Sequence, residues 1–376
     1  MRARHRDYLS CLSDIKQGYA LLEQNQREHP DFKINLKGLG LIRALAANIP
    51  GEYRWAIQLL SGIEGNSSRG ARELQEALRY ARQQGWVLER EIQIASAFVQ
   101  LHIQNDKLAA WETLRSGSLD PAASPLAAYV ISSLAIRTAR TDEAIRILEN
   151  CPRGPAYHPF PYLDYLLGLA RLHRLDTDAD RPLLRFVQNF KGKNGLKEVY
   201  QKLAWHRLIH GDAAGYHSYM QLVKSRGAAR SEPDQAAQRE AARGVMPDPQ
   251  LTRARLLFDG GYYQRAYALM CELEPSCRHA PRLALEYRYR RARIADELGH
   301  IDEAASLYAK TIAEGAAEPW YYACSAALYL GVLQEKLGKT AQAKAAYRQC
   351  LQINPETYAA GLHARAKAGL NRLREY

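Results

Sequence analysis

The chain has no long hydrophobic run. Nowhere in its 376 residues do about eighteen apolar residues follow one another, so no membrane-spanning helix is expected. The opening stretch, "MRARHRDYLSCLSDIKQGYALLEQ", is basic and holds no apolar signal core, which points to the cytoplasm. Export is the alternative if further residues precede it. Val, Thr and Phe are sparse while Ala and Leu abound, which favours helix over strand. The six cysteines (Cys11, Cys151, Cys271, Cys277, Cys324 and Cys350) are too scattered for a disulfide framework. Only Cys271 and Cys277 are close, at a spacing that suits neither a redox motif nor a zinc knuckle, so most are expected to pack as small apolar residues. G-x-S-x-G, a Cys/His nucleophile pair and H-E-x-x-H are all missing, which argues against an enzyme. The net charge of +12 is carried by Arg spread along the chain among Glu and Asp, with no basic run interleaved with aromatics. It reads as a solvated basic surface, with an RNA or membrane-surface adaptor as an alternative.

What is present is a repeat. In "RRARIADELGHIDEAASLYAKTI" a helix ends at Gly299 and a second carries Ala304 and Tyr308. "LYLGVLQEKLGKTAQAKAAYRQCLQINP" repeats the spacing with Gly338, Ala343 and Tyr347, and closes on Pro355. Small residues let two antiparallel helices approach closely, and the large residue one turn later fills the gap to the next hairpin. Glycine suits a left-handed helix end, and proline cannot continue a helix. The same ruler places turns at 65, 105, 139, 175, 211, 261, 299 and 338, at intervals of 40, 34, 36, 36, 50, 38 and 39. This resembles the tetratricopeptide repeat (TPR), whose period is about 34 residues. An all-α superhelix of about eight or nine hairpins follows, closed by the basic amphipathic "YAAGLHARAKAGLNRLREY" as a capping helix. Asp259-Gly260-Gly261 then reads as a recurring turn rather than a ligand cradle.

The interval of 50 holds "SRGAARSEPDQAAQREAARGVMPDP", polar and poor in large apolar residues, a linker or a helix with no hydrophobic face. It divides the chain into TPR-like repeats over 1–228, a linker or insertion over 229–246, and repeats with the cap over 247–376. Two segments carry a narrower likeness: 36–78, with Gly38, Gly40, Pro50, Leu59 to Gly62, Gly65, Gly70 and Leu74, and "FPYLDYLLGLARLHRLD" followed by "FKGKNGLKEVYQKLAW". They resemble the TPR family of the yeast inclusion-body-clearance protein, and especially Bacteroidetes-type bacterial TPR proteins. That resemblance implies an interaction or scaffolding role, no catalytic residues and no cofactor; its bacterial members often look exported.

In a TPR array the first helix of each hairpin lines a concave groove. The register turns Tyr162, Tyr165, Trp205, Arg255, Phe258, Tyr289 and Arg293 toward it, with Leu169, Gln201, Leu251, Asp296, Leu328, Val332 and Glu335 at equivalent positions. Aromatics and Arg there suit a peptide or protein ligand. The Lys/Asn arrangement by which chaperone-binding TPRs hold a C-terminal carboxylate is not found. Three other constellations have plainer explanations. "LGKT" at 337–340 lacks the earlier glycine of a phosphate loop, since position 333 is Leu. His206 and His210 share a helix face, with His217 beyond, as in a metal-dependent hydrolase, but Arg207 stands where the general base belongs. "GNSSRG" at 65–70 reads as a helix start capped by Ser67 or Ser68.

Overall fold

The computed structural model describes residues 8–47, 63–273 and 280–373, and side chains from residue 13 onward. Pro50, Leu59 to Gly62 and Cys277 lie outside the described residues, as does the side chain of Cys11. Among those described, every regular element is a helix, and none is long and apolar enough to cross a membrane. The chain forms two compact units, Met1–Thr138 with Arg146–His158, and Ala139–Ile145 with Pro159–Tyr376. The segment 229–246 thus lies inside the second unit.

The first unit contains α1 (Tyr8–Glu28), α2 (Asn35–Ala46), α3 (Ser67–Gln83), α4 (Glu89–His102), α5 (Lys107–Arg115) and α6 (Pro125–Arg137). Helix α7 (Thr141–Asn150) is shared between the units. Helices α2 and α3 touch backbone to backbone, since a Cβ on Gly40 would meet the Gly70 carbonyl oxygen at 2.6 Å. Beside that crossing the buried Arg43 guanidinium donates to the Tyr19 hydroxyl (3.1 Å), to Glu23 (2.9 Å) and to Glu73. The expected caps Ser67 and Ser68 are superseded by Asn66, whose side chain accepts from the Arg69 amide at 2.8 Å. An Asn one residue earlier has the extended backbone that lets its oxygen turn onto the first free N–H groups.

The second unit continues with α8 (Tyr162–Arg174), α9 (Asp180–Asn189), α10 (Leu196–Ile209), α11 (Ala213–Ser225) and α12 (Glu232–Arg243). Then come α13 (Pro249–Asp259), α14 (Tyr263–Leu273), α15 (Pro281–Leu298), α16 (Ile301–Gly315), α17 (Tyr322–Lys336), α18 (Thr340–Gln352) and the terminal α19 (Ala359–Arg372).

The turn register read from the sequence is visible in the backbone. Asn105, Ala139, Leu175, Gly211, Gly261, Gly299 and Gly338 are all left-handed, with φ from 58° to 81°. At five of them the same bond recurs: the N–H of Asp176, Asp212, Tyr262, His300 and Lys339 donates to the carbonyl of Arg171, Arg207, Leu257, Ala295 and Gln334, each at 2.9 Å. This ties off a carbonyl the helix would otherwise leave unpaired. Gly65 breaks the series. It is not left-handed and packs on the end of α2, where a Cβ would lie 2.6 Å from the Ala46 carbonyl carbon; the left-handed glycine of that region is Gly85. The small and large positions also hold. Ala110 and Leu114, Ala144 and Leu148, Ala266 and Met270, Ala304 and Tyr308, and Ala343 and Tyr347 are all buried. The Tyr308 hydroxyl donates to Asp296 at 3.0 Å and that of Tyr347 to Glu335. Each ring thus removes apolar surface from water, about 2 kcal/mol worth, without stranding its hydroxyl. Cys151, Cys324 and Cys350 are buried thiols, whereas Cys271 is exposed.

The Asp259-Gly260-Gly261 turn does more than its counterparts. A Cβ on Gly299 or Gly338 would meet nothing, but one on Gly261 would strike the Ala139 Cβ at 2.3 Å. The Thr141 hydroxyl donates to the Gly260 carbonyl (2.7 Å), and the Tyr262 hydroxyl to Asp142 (2.9 Å). The turn is a docking point between segments about 120 residues apart, and glycine is needed there for space as well as for φ.

Candidate partner-binding cleft

A cleft of about 710 Å³ opens in the second unit. Helix α10 lends it Lys202 and Trp205, α12 Arg239 and Glu240, α13 Arg255, α15 Arg282, Glu286 and Arg290, and α19 Arg365. Tyr321 and Tyr358, each one residue ahead of a helix, complete the wall.

Helix α12 explains the shape. Its segment looked faceless in sequence, but Ala237 and Ala241 are buried in the cluster that holds Trp205, Tyr216 and Met220. Its face is made of alanine, small enough to lie flat on α10 and α11, and Ser231 caps its start by accepting from the Asp234 amide at 3.3 Å. Two carboxylates then staple it down. Asp234, fully buried, accepts from the Gly195 amide (2.7 Å), the Glu198 amide (3.1 Å) and the Ser231 hydroxyl (2.6 Å). It sits at the start of α10, where free N–H groups and the helix dipole favour negative charge. Glu240 accepts from Gln201 Nε2 (2.6 Å), Trp205 Nε1 (2.8 Å) and the Tyr216 hydroxyl (3.2 Å). Burial, reinforced by Glu240, raises the Tyr216 hydroxyl above the ordinary tyrosine range and keeps it a donor.

The open side is cationic. Lys202 Nζ stands 3.9 Å and Arg255 Cζ 4.6 Å from the centre of the Trp205 ring, within cation–π range. Burial draws the Lys202 ammonium below its usual pKa, against the pull of Glu198. Among the described residues the only acid paired with Arg255 is Asp259, 3.6 Å away on its own helix. Glu286 is committed to Arg290 and to the Tyr322 hydroxyl (2.7 Å). Burial opposes its ionisation, but these two partners hold its carboxyl below the usual range. Tyr358 has a left-handed backbone (φ 66°), uncommon for a large side chain. That conformation sets its ring 5.2 Å from Tyr321 and 5.4 Å from the Arg239 guanidinium.

Of the seven residues the register assigned to a groove, Trp205 and Arg255 line this cleft, with Gln201 beside them. The other five pack between helices. Tyr162 and Tyr165 join Phe186 in an aromatic cluster, and the Tyr165 hydroxyl donates to Glu198 at 2.8 Å. Tyr289 bonds Ser325 (2.8 Å), while Arg293 stacks on Tyr329 at 3.3 Å and on Phe258 at 5.2 Å. Leu251 and Leu328 are core residues. The register misses Arg239, Glu240, Tyr358 and Arg365, which come from the insertion and the terminal helix rather than from the first helix of a hairpin. The only sequence signals for them are acidic residues regularly placed in an alanine-rich helix and the basic character of the terminal helix.

The histidine constellation is otherwise engaged. His206 Nε2 lies 3.0 Å from the Thr177 carbonyl and His210 Nδ1 2.7 Å from that of His206. Burial lowers the His206 pKa. Among the described residues no three His, Cys, Asp or Glu side chains are grouped to hold a metal ion.

Comparison with known proteins agrees with the repeat. A family model of the tetratricopeptide repeat matches residues 325–357, the span of α17 and α18. A comparison with curated proteins finds no match. The match covers one hairpin of an all-helical chain and supports a TPR-type protein, a kind of repeat that points to protein–protein interaction.

Proposed function

We propose that this TPR-type chain is a non-catalytic scaffold that holds a segment of a partner protein in the cleft of its second unit. The observation that carries the reading is the cleft itself, where Trp205 and Arg255 meet Tyr321, Tyr358 and Arg282 around about 710 Å³. Tryptophan, tyrosine and arginine are the residues that most often dominate binding energy at interfaces. A kinship with the yeast inclusion-body-clearance family, resting on segments 36–78, 160–176 and 190–205, fits the same role.

Gly361 gives a clean test. It lines the cleft, and a Cβ there meets nothing within 4 Å, so Gly361→Trp fills the space without a backbone clash. Proteins captured from a lysate by wild type should be lost with Gly361→Trp and reduced with Arg255→Ala. An identical captured set on all three baits contradicts the proposal.

A further inference from the structure

Resting on that reading, we infer that the partner segment is acidic, its Asp and Glu carboxylates seated by Arg255, Arg282 and Arg365 and its apolar residues against Tyr321 and Tyr358. Two independent observations support this.

The first is charge left over. Lys202, Arg239, Arg282 and Arg365 line the cleft and have no carboxylate within ion-pair distance among the described residues. Lys202 is bound to Gln201 (3.3 Å), Arg239 lies over the Tyr358 ring, and Arg365 meets the Tyr329 hydroxyl (3.3 Å). Of the acids in the same walls, Glu198, Glu240 and Glu286 already accept hydrogen bonds. Cations outnumber carboxylates in the lining, and an anionic ligand relieves the repulsion within that excess.

The second is a bound example within the chain. Helix α12 crosses the face of α10 that the repeat register assigns to ligand, covering Gln201 and Trp205. It is held through two carboxylates, Asp234 and Glu240, that take six hydrogen bonds between them. This face therefore already accommodates an acidic segment in helical form. The cleft lies beside α12, and the seats still open there carry full positive charge. Its walls are also mixed: Glu198, Glu232, Glu240 and Glu286 stand among the cations. A peptide with separated carboxylates can avoid them, whereas the evenly spaced phosphates of a nucleic acid cannot.

The test is selection of a displayed random dodecapeptide library on immobilised full chain, with each variant first shown by circular dichroism to melt as wild type does. Peptides selected on wild type should be enriched in Asp and Glu. They should bind at least 10-fold more weakly to Arg282→Glu/Arg365→Glu, and equally weakly when their acids are changed to Asn and Gln. Gly361→Trp should select none of them. Peptides that depend on Gly361 but show no acidic enrichment overturn this inference and leave the scaffold reading standing. Peptides indifferent to Gly361→Trp, or no selected peptide at all, overturn the cleft reading with it. A uridylate dodecamer that binds more tightly than the selected peptides, and competes with them, also overturns the inference.

Discussion

Two walls of one cleft treat charge in opposite ways. On the α10 side, Lys202 apart, the donors are backbone amides, an amide side chain, an indole and a phenol, and the chain's own Asp234 and Glu240 occupy them. On the α13, α15 and α19 side stand Arg255, Arg282 and Arg365, and the chain supplies little opposite them. The first wall is finished by folding; the second is left with charge to satisfy. The comparison shows what the insertion between α11 and α13 does. It covers the face of one hairpin and, by covering it, forms the edge of a pocket against the next.

If the α10 wall is finished by folding, breaking it should cost stability. Asp234→Ala leaves the Gly195 and Glu198 amides without their acceptor and detaches the start of α12. A loss of about 4 kcal/mol is expected, read from the urea midpoint, because unsatisfied buried donors each cost about 1–3 kcal/mol. A loss below about 1 kcal/mol would mean that α12 is not held in this way.

A smaller effect tests the cationic wall from behind. Burial lowers the pKa of His173, in α8, to about 4; Asp259 opposes the shift, and Lys202 and Arg255 add to it. The unfolded chain takes up the same proton near the ordinary value of 6.5. Between these values the unfolded state binds more protons. Stability is therefore full above pH 6.5 and is lost as the pH falls toward 4, by roughly 3 kcal/mol from this residue. The gap between urea midpoints at pH 7 and pH 4.5 should narrow in His173→Gln. An unchanged gap would show that the imidazole is not the group held neutral.

The repeat was legible because its cause is local. Left-handed turns and small-large pairs are written at fixed spacing, and even Leu175 and Ala139, which lack glycine's freedom, take the turn conformation the register required. The close approach of Gly261 to Ala139 was not legible, since it joins segments far apart in the chain. The cleft was half legible. Trp205 and Arg255 lie on first helices and obey the register. Arg293 obeys it too, yet Tyr329 on the next hairpin stacks on it, and it does not line the cleft. Register says which way a side chain leaves its helix, not what stands in front of it. Helix α12 escaped because its buried face is alanine and carboxylate, which hydrophobic periodicity does not score.

The contrast between a filled and an open wall is tested most directly by hydrogen exchange on the full chain, with and without a selected acidic peptide. The account predicts slower exchange in α13, α15 and the first turn of α19, with α12 unchanged because its wall is already occupied. Faster exchange in α12 on binding, as expected if the peptide displaces it from Gln201 and Trp205, would contradict the account.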